Sequence, residues 1–202
     1  MSHVAESADF RQVPVLADSI AKNHVRTALL IAGGALLTAL AAQISFAVPG
    51  SPVPISGQTL AVVLVGASLG SSRGLSAIAL YVVMGFFLPV YSDGSSGFHH
   101  LLGATGGYIV GFMAAAWVVG FLAEHGTDRK VATAFLSFVA AQCIVFGFGL
   151  VGLKLYSGET LSWVIHNGFT IFIVGGLVKA AVGAVLMPSA WKVLQLTNKD
   201  SR

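Results

Sequence analysis

The sequence predicts an all-α integral membrane protein, a compact bundle of six transmembrane helices with both termini cytoplasmic. Three observations carry that expectation. First, 55% of its 202 residues are hydrophobic and only 9% charged, with a mean hydropathy of +0.84. A soluble domain is about 25% charged, so this chain cannot cover a globule with polar surface and lipid must be its main solvent. Second, the apolar residues fall into six segments, roughly 25–47, 59–72, 74–91, 105–124, 131–153 and 169–191. Third, an even number of spans puts Arg11, Lys22, Arg26, Arg73, Arg129, Lys130, Lys192, Lys199 and Arg202 on one side, nine of eleven basic residues. That side is the cytoplasm by the positive-inside rule.

Residues 1–24 are polar and mixed in charge, with no apolar signal-peptide core. They read as a partly disordered cytoplasmic tail ahead of a membrane domain, 25–191, and a second tail, 192–202. In the first segment Ala28 and Ala32, then Ala35 and Ala39, place small residues one turn apart. Such a stripe suits close helix contact, within the bundle or with a partner. Ser45 to Gln58 carries Pro49, Pro52 and Pro54 and cannot continue a helix. The second segment is short for a span, which takes about 20 residues, so it is expected to be only partly inserted or to start in the proline loop. Residues 92–104 form a glycine-rich loop, and 155–168 a connection with a short helix begun by Ser157 or Thr160. The single cysteine, Cys143, excludes disulfides within the chain and reads as a small buried residue.

Several function classes fall away. The basic residues stand at segment ends rather than in a stripe, so nucleic acid is not expected as a partner. No carboxylate lies inside a span, no H-E-x-x-H or G-x-x-x-x-G-K-[ST] motif is present, and no nucleophile–base set suggests an enzyme. No cofactor is implied. His99 and His100 are adjacent, so on a regular element their side chains are expected to diverge rather than chelate one ion.

Lys179 stands out. It lies alone in the uncharged run Phe169–Met187, about 15 Å along a helix from Phe169, near the centre of a hydrocarbon core about 30 Å thick. A lysine there costs about 2.5–3.5 kcal/mol on insertion scales. A carboxylate, a wet cavity or an anionic ligand must offset that cost. Gly176, Lys179, Ala180 and Gly183 share one helical face, which leaves room beside the ammonium for a guest. A ligand carboxylate is the leading candidate. The run Gly103–Tyr108 (G-A-T-G-G-Y) has backbone N–H groups available to a ligand, with Thr105 as a cap for the following helix. Tyr91, Phe98, Tyr108, Phe112 and Trp163 supply apolar walls or membrane-interface aromatics.

The runs V-P-I-S-G-Q-T (Val53–Thr59), L-G-S-S-R-G (Leu69–Gly74), Y-V-V-M-G-F-F-L-P-V-Y with S-D-G-S-S-G, G-A-T-G-G-Y-I-V-G-F (Gly103–Phe112) and G-G-L-V-K-A (Gly175–Ala180) occur in that order. As an ordered set over residues 25–190 they resemble the BioY family, the biotin-binding S components of energy-coupling factor transporters. The resemblance implies a six-helix fold in the bacterial cytoplasmic membrane that captures biotin from outside, beneath the loops after the first and third helices. It also implies a transmembrane coupling subunit and two cytoplasmic ATPase subunits as partners, with Ala28 and Ala32 docking on the coupling subunit. Lys179 matches the family lysine expected to meet the biotin carboxylate.

The sequence departs from the family pattern at Gly176, where an aspartate is usual, and at Ala104, usually proline. Asp93, Gln58 or Asn167 is then left as acceptor for the ureido N–H groups. The substrate-binding set expected from residues and resemblance together is Lys179, Asp93, Gln58, Thr105, Gly106, Gly107, Tyr108, Tyr91, Asn167 and Gly176, with no metal. Two other readings use the same residues. One is an S component for a different anionic vitamin. The other is a solitary proton-coupled carrier, for which Lys179 is the titrating group.

Overall fold

Helix α1 (His24–Gln43) opens the membrane portion of the computed structural model, which describes residues 12–200. Residues 1–11 and 201–202, including Arg11 and Arg202, lie outside the described residues, as does the Lys199 side chain. Asn23 caps α1, its side chain accepting from the Arg26 N–H at 2.9 Å. Ala35, Ala39 and Ala42 are buried, and α1 packs on α2 (Gln58–Leu69) and α3 (Ser71–Phe87). Ala28 is exposed and Ala32 half-buried, so the small-residue stripe runs from a packed half into an open half.

Helix α1 stops at Gln43, short of the expected 47, because Ile44 leaves helical geometry. The chain instead forms a two-residue antiparallel ladder, β1 (Ser45–Phe46) on β2 (Ile55–Ser56), with Ser45 opposite Ser56 and Phe46 opposite Ile55. This ladder is a local addition to an otherwise all-helical chain: the proline segment folds back on itself and delivers Ser56 to the start of α2.

The 12-residue α2 rises about 18 Å, too little for a hydrocarbon core, and it lies inside the bundle against α1, α3, α5 (Gly106–Ala123) and α8 (Ile173–Asp200). Gly66 makes this possible. A Cβ there would stand 2.6 Å from the Ala116 carbonyl oxygen of α5, so only glycine permits the approach. Gly70, at φ +85°, turns the chain from α2 into α3.

Helix α5 packs along α6 (Val131–Ser157), and α6 packs on α8. Lys154 stabilises the end of α6 by donating to the carbonyls of Gly158 and Glu159. The connection that follows holds α7 (Leu161–Gly168), begun by Thr160, whose hydroxyl accepts from the Trp163 N–H at 3.3 Å. A 3-10 turn over Thr170–Phe172 then leads into α8, which runs past residue 191 and through Pro188. Among the described residues, five stretches are long and apolar enough to cross a membrane: His24–Gln43, Ser71–Gly94, Gly106–Ala123, Val131–Ser157 and Leu161–Thr197. Cys143, expected to be buried, is exposed, because it falls on the outward face of α6 together with Leu136 and Gly147.

At the end of the bundle opposite the glycine-rich loop, most polar groups are paired within the protein, the second Asp128 carboxylate oxygen being the exception. Residues 13–18, expected to be part of a loose tail, lie across this end. Val15 and Ala17 are buried, the Val13 N–H donates to the Glu124 carbonyl at 2.7 Å, and Arg73 pairs with Asp18 at 2.6 Å. The Glu124 carboxylate accepts from the Ser71 N–H at 2.8 Å and from its hydroxyl. Asp128, 1% exposed, accepts from the Trp191 indole N–H at 2.5 Å. The Arg129 guanidinium sits 4.6 Å from that indole ring centroid. Burial pushes the Asp128 carboxyl above the usual carboxylate range, against the Trp191 hydrogen bond and the Arg129 charge.

Candidate functional site

At the other end the bundle opens into a cavity of about 590 Å³, within the range of small-molecule sites. Four parts of the chain wall it: the β1–β2 connection with the start of α2, the segment after α3, the stretch from α4 (His99–Leu102) into α5, and the middle of α6 with the first turns of α8. Of the expected residues, Lys179, Asp93, Gln58, Thr105, Tyr108, Tyr91 and Gly176 line it.

Lys179 is part-buried, and its ammonium donates to the Ser56 carbonyl at 2.6 Å and to the Thr59 hydroxyl at 3.2 Å. Both acceptors are neutral, and among the described residues no carboxylate pairs with it. An ammonium has three donors. The ladder that returns the proline loop therefore places one partner for the lysine and leaves its charge unbalanced at a cavity wall.

Gln58 is the hub of a second cluster. Its carbonyl oxygen accepts from the hydroxyls of Ser56 at 2.7 Å and Ser92 at 2.8 Å, and its amide N–H donates to Tyr81 at 2.5 Å. The segment after α3 is thereby tied to α2. Tyr91 anchors it further by donating to the Val82 carbonyl at 2.8 Å and by meeting Tyr81 edge-on. Gln43 of α1 donates to the Tyr91 carbonyl at 3.2 Å. Asp93 sits in this segment with φ +59°, a left-handed backbone that aspartate tolerates in turns.

Several expectations are corrected. Gly106 and Gly107 do not line the cavity. A Cβ on Gly106 would meet the Leu101 carbonyl oxygen at 1.8 Å, and one on Gly107 the Phe148 carbonyl oxygen at 2.3 Å, so both serve close packing. Asn167 also stands outside the wall, its amide donating to the Trp163 carbonyl at 3.0 Å. Thr105 precedes α5, but its side chain makes no capping bond, because its backbone is already αR and turns the hydroxyl from the free N–H groups. Tyr91, Tyr108 and Phe112 are cavity walls, while Phe98 and Trp163 are not. Tyr108 reaches across to donate to the Gly168 carbonyl at 2.7 Å. The His99 and His100 rings do not diverge: their centroids are 4.4 Å apart at the cavity rim, in a helix of a single turn. Burial, and then His99, lower the His100 pKa. Among the described residues no three His, Cys, Asp or Glu side chains converge on a metal site.

Sequence reasoning missed Gln142. It lies midway along α6, lines the cavity and is 6% exposed, and among the described residues neither its amide nitrogen nor its oxygen has a hydrogen-bond partner. The available signal was an amide in the middle of a long apolar span, where an unpaired polar group is costly.

Comparison with known proteins gives a consistent answer. The BioY family model matches residues 12–196. The chain is 31% identical over 171 residues to "Biotin transporter BioY2" of Lactococcus lactis subsp. cremoris, covering 84% of this chain and 92% of the relative. It is 34% identical over 166 residues to "Biotin transporter BioY" of Thermotoga maritima, covering 82% and 90%. Its fold is similar to that of the crystal structure titled as the S-component for biotin from an ECF-type ABC transporter, with TM-score 0.76, 21% identity and coverage of 83% and 92%. With residues 12–196, nearly the whole of its described length, matched by the family model, the chain belongs to the BioY family.

Proposed function

We propose that this protein captures biotin outside the cell and carries it into the cytoplasm as the S component of an energy-coupling factor transporter in the cytoplasmic membrane. The single observation that carries the reading is Lys179, a cation on the wall of a mainly apolar cavity with only neutral acceptors. Biotin has an apolar bicycle and chain, a ureido head and one carboxylate. Its carboxylate supplies the missing charge for Lys179, and the aromatic walls take the bicycle. Relatives named as biotin transporters support the same substrate.

In this reading α2 counts as the sixth span, shortened and sheltered by its neighbours. The termini face the cytoplasm, as the basic residues at the closed end favour. The cavity then opens outward. A coupling subunit and two ATPase subunits supply the energy, and the open half of the α1 stripe, at Ala28 and Ala32, docks on the coupling subunit.

Equilibrium binding of radiolabelled biotin to the purified protein in detergent tests the capture step, with saturable one-site binding expected. Uptake in cells with and without the coupling subunit, each with and without an uncoupler, tests the partnership. Transport that needs the subunit and survives the uncoupler is expected. Transport without the subunit that the uncoupler abolishes marks a solitary carrier instead.

A further inference from the structure

Two glutamines wall the cavity, and their amides are in opposite states. Gln58 is saturated by Ser56, Ser92 and Tyr81 and has little left for a guest. Gln142 is as buried as Gln58, yet both its polar atoms are unpartnered. A buried amide without partners is destabilising, so its place in a packed membrane span calls for a counterpart.

Gly176 stands directly across from it on α8. A Cβ built at Gly176 would lie 3.8 Å from the Gln142 amide oxygen, an ordinary contact distance, so the glycine is not enforced by packing. Gly176 and Gln142 both line the cavity, with Gly176 one helical turn from Lys179.

We propose that Gln142 is a substrate-binding residue that grips the ureido edge of the guest, while Lys179 holds the carboxylate. This rests on the biotin reading and deepens it. The donor–acceptor count decides the assignment. A carboxylate only accepts, and would leave the Gln142 oxygen unpaired. A ureido edge presents an N–H beside a C=O. The N–H donates to the Gln142 oxygen and the Gln142 N–H donates to the carbonyl, satisfying both atoms in one contact. The same logic removes Gln58 as a ureido acceptor, because its oxygen already accepts from Ser56 and Ser92, and Asn167 stands outside the cavity wall.

Binding of biotin and of biotin methyl ester to the wild type, Gln142→Leu and Gln142→Met tests this, together with thermal unfolding of each ligand-free protein. Both substitutions are expected to weaken biotin and its ester by the same factor, about tenfold. Ligand-free stability should hold or rise, since an unpaired buried amide is removed. Unchanged affinity for both ligands overturns the proposal. A loss seen with biotin but not with its ester overturns the ureido assignment, placing the amide on the carboxylate. Lowered ligand-free stability in both variants with affinity retained shows a packing role and overturns it too. A wild type that binds neither ligand overturns the biotin reading itself, and is recognised before any substitution is made.

Discussion

The two ends of the bundle hold similar polar inventories and use them in opposite ways. At the closed end, Asp18, Arg73, Glu124 and Trp191 are paired with protein groups, Asp128 is held through one of its two oxygens while the other is buried without a partner, and residues 13–18 are pinned across them. At the cavity end, Lys179 lacks a counter-charge and Gln142 lacks any partner. Polar groups whose bonds are made within the chain hold elements together. Polar groups left short of partners mark where a guest must supply them. Missing partners beside the cavity, as at Lys179 and Gln142, locate the binding end; the unpartnered Asp128 oxygen does not line that cavity.

The largest effect on stability is expected from disturbing the one cavity cluster that behaves like the closed end. Gln58→Leu strands the hydroxyls of Ser56, Ser92 and Tyr81, and is expected to cost roughly 2–3 kcal/mol of stability. It should also weaken biotin binding by loosening the segment after α3. Thermal unfolding and ligand titration of the same preparation check both effects.

A smaller effect is expected from Asp128→Asn at the closed end. The folded-state pKa of Asp128 is raised. Its protonated form therefore favours the fold, most fully below the unfolded value of about 3.9, and this contribution is lost as pH rises through the folded value. Asparagine should remove that pH dependence and leave biotin affinity unchanged, as unfolding across a pH series would read. Smallest of all is Arg73→Ala, which breaks a partly exposed pair with Asp18 and should cost less than about 1 kcal/mol, with no change in ligand titration.

The helices were legible from the sequence because lipid demands long apolar runs, and segments 105–124 and 131–153 nearly coincide with α5 and α6. The β1–β2 ladder was not, since two-residue strands have no periodicity to read. Lys179 was legible because a lone charge in an apolar run has no bland surroundings. The distinction between Gln58 and Gln142 was not, for an amide's partners come from distant segments: Ser92 lies 34 residues from Gln58. The glycines at 106 and 107 were misread for the same reason, as the atoms they clear belong in part to α6.

The most direct measurement is the affinity of wild type and Lys179→Ala for biotin and for biotin methyl ester. If the ammonium is matched by the guest's carboxylate, the substitution should cost biotin about 2–5 kcal/mol, at least about thirtyfold in Kd. The ester, already weak on the wild type, should lose little more. Equal affinity of both proteins for biotin would contradict the account, as would equal affinity of the wild type for acid and ester.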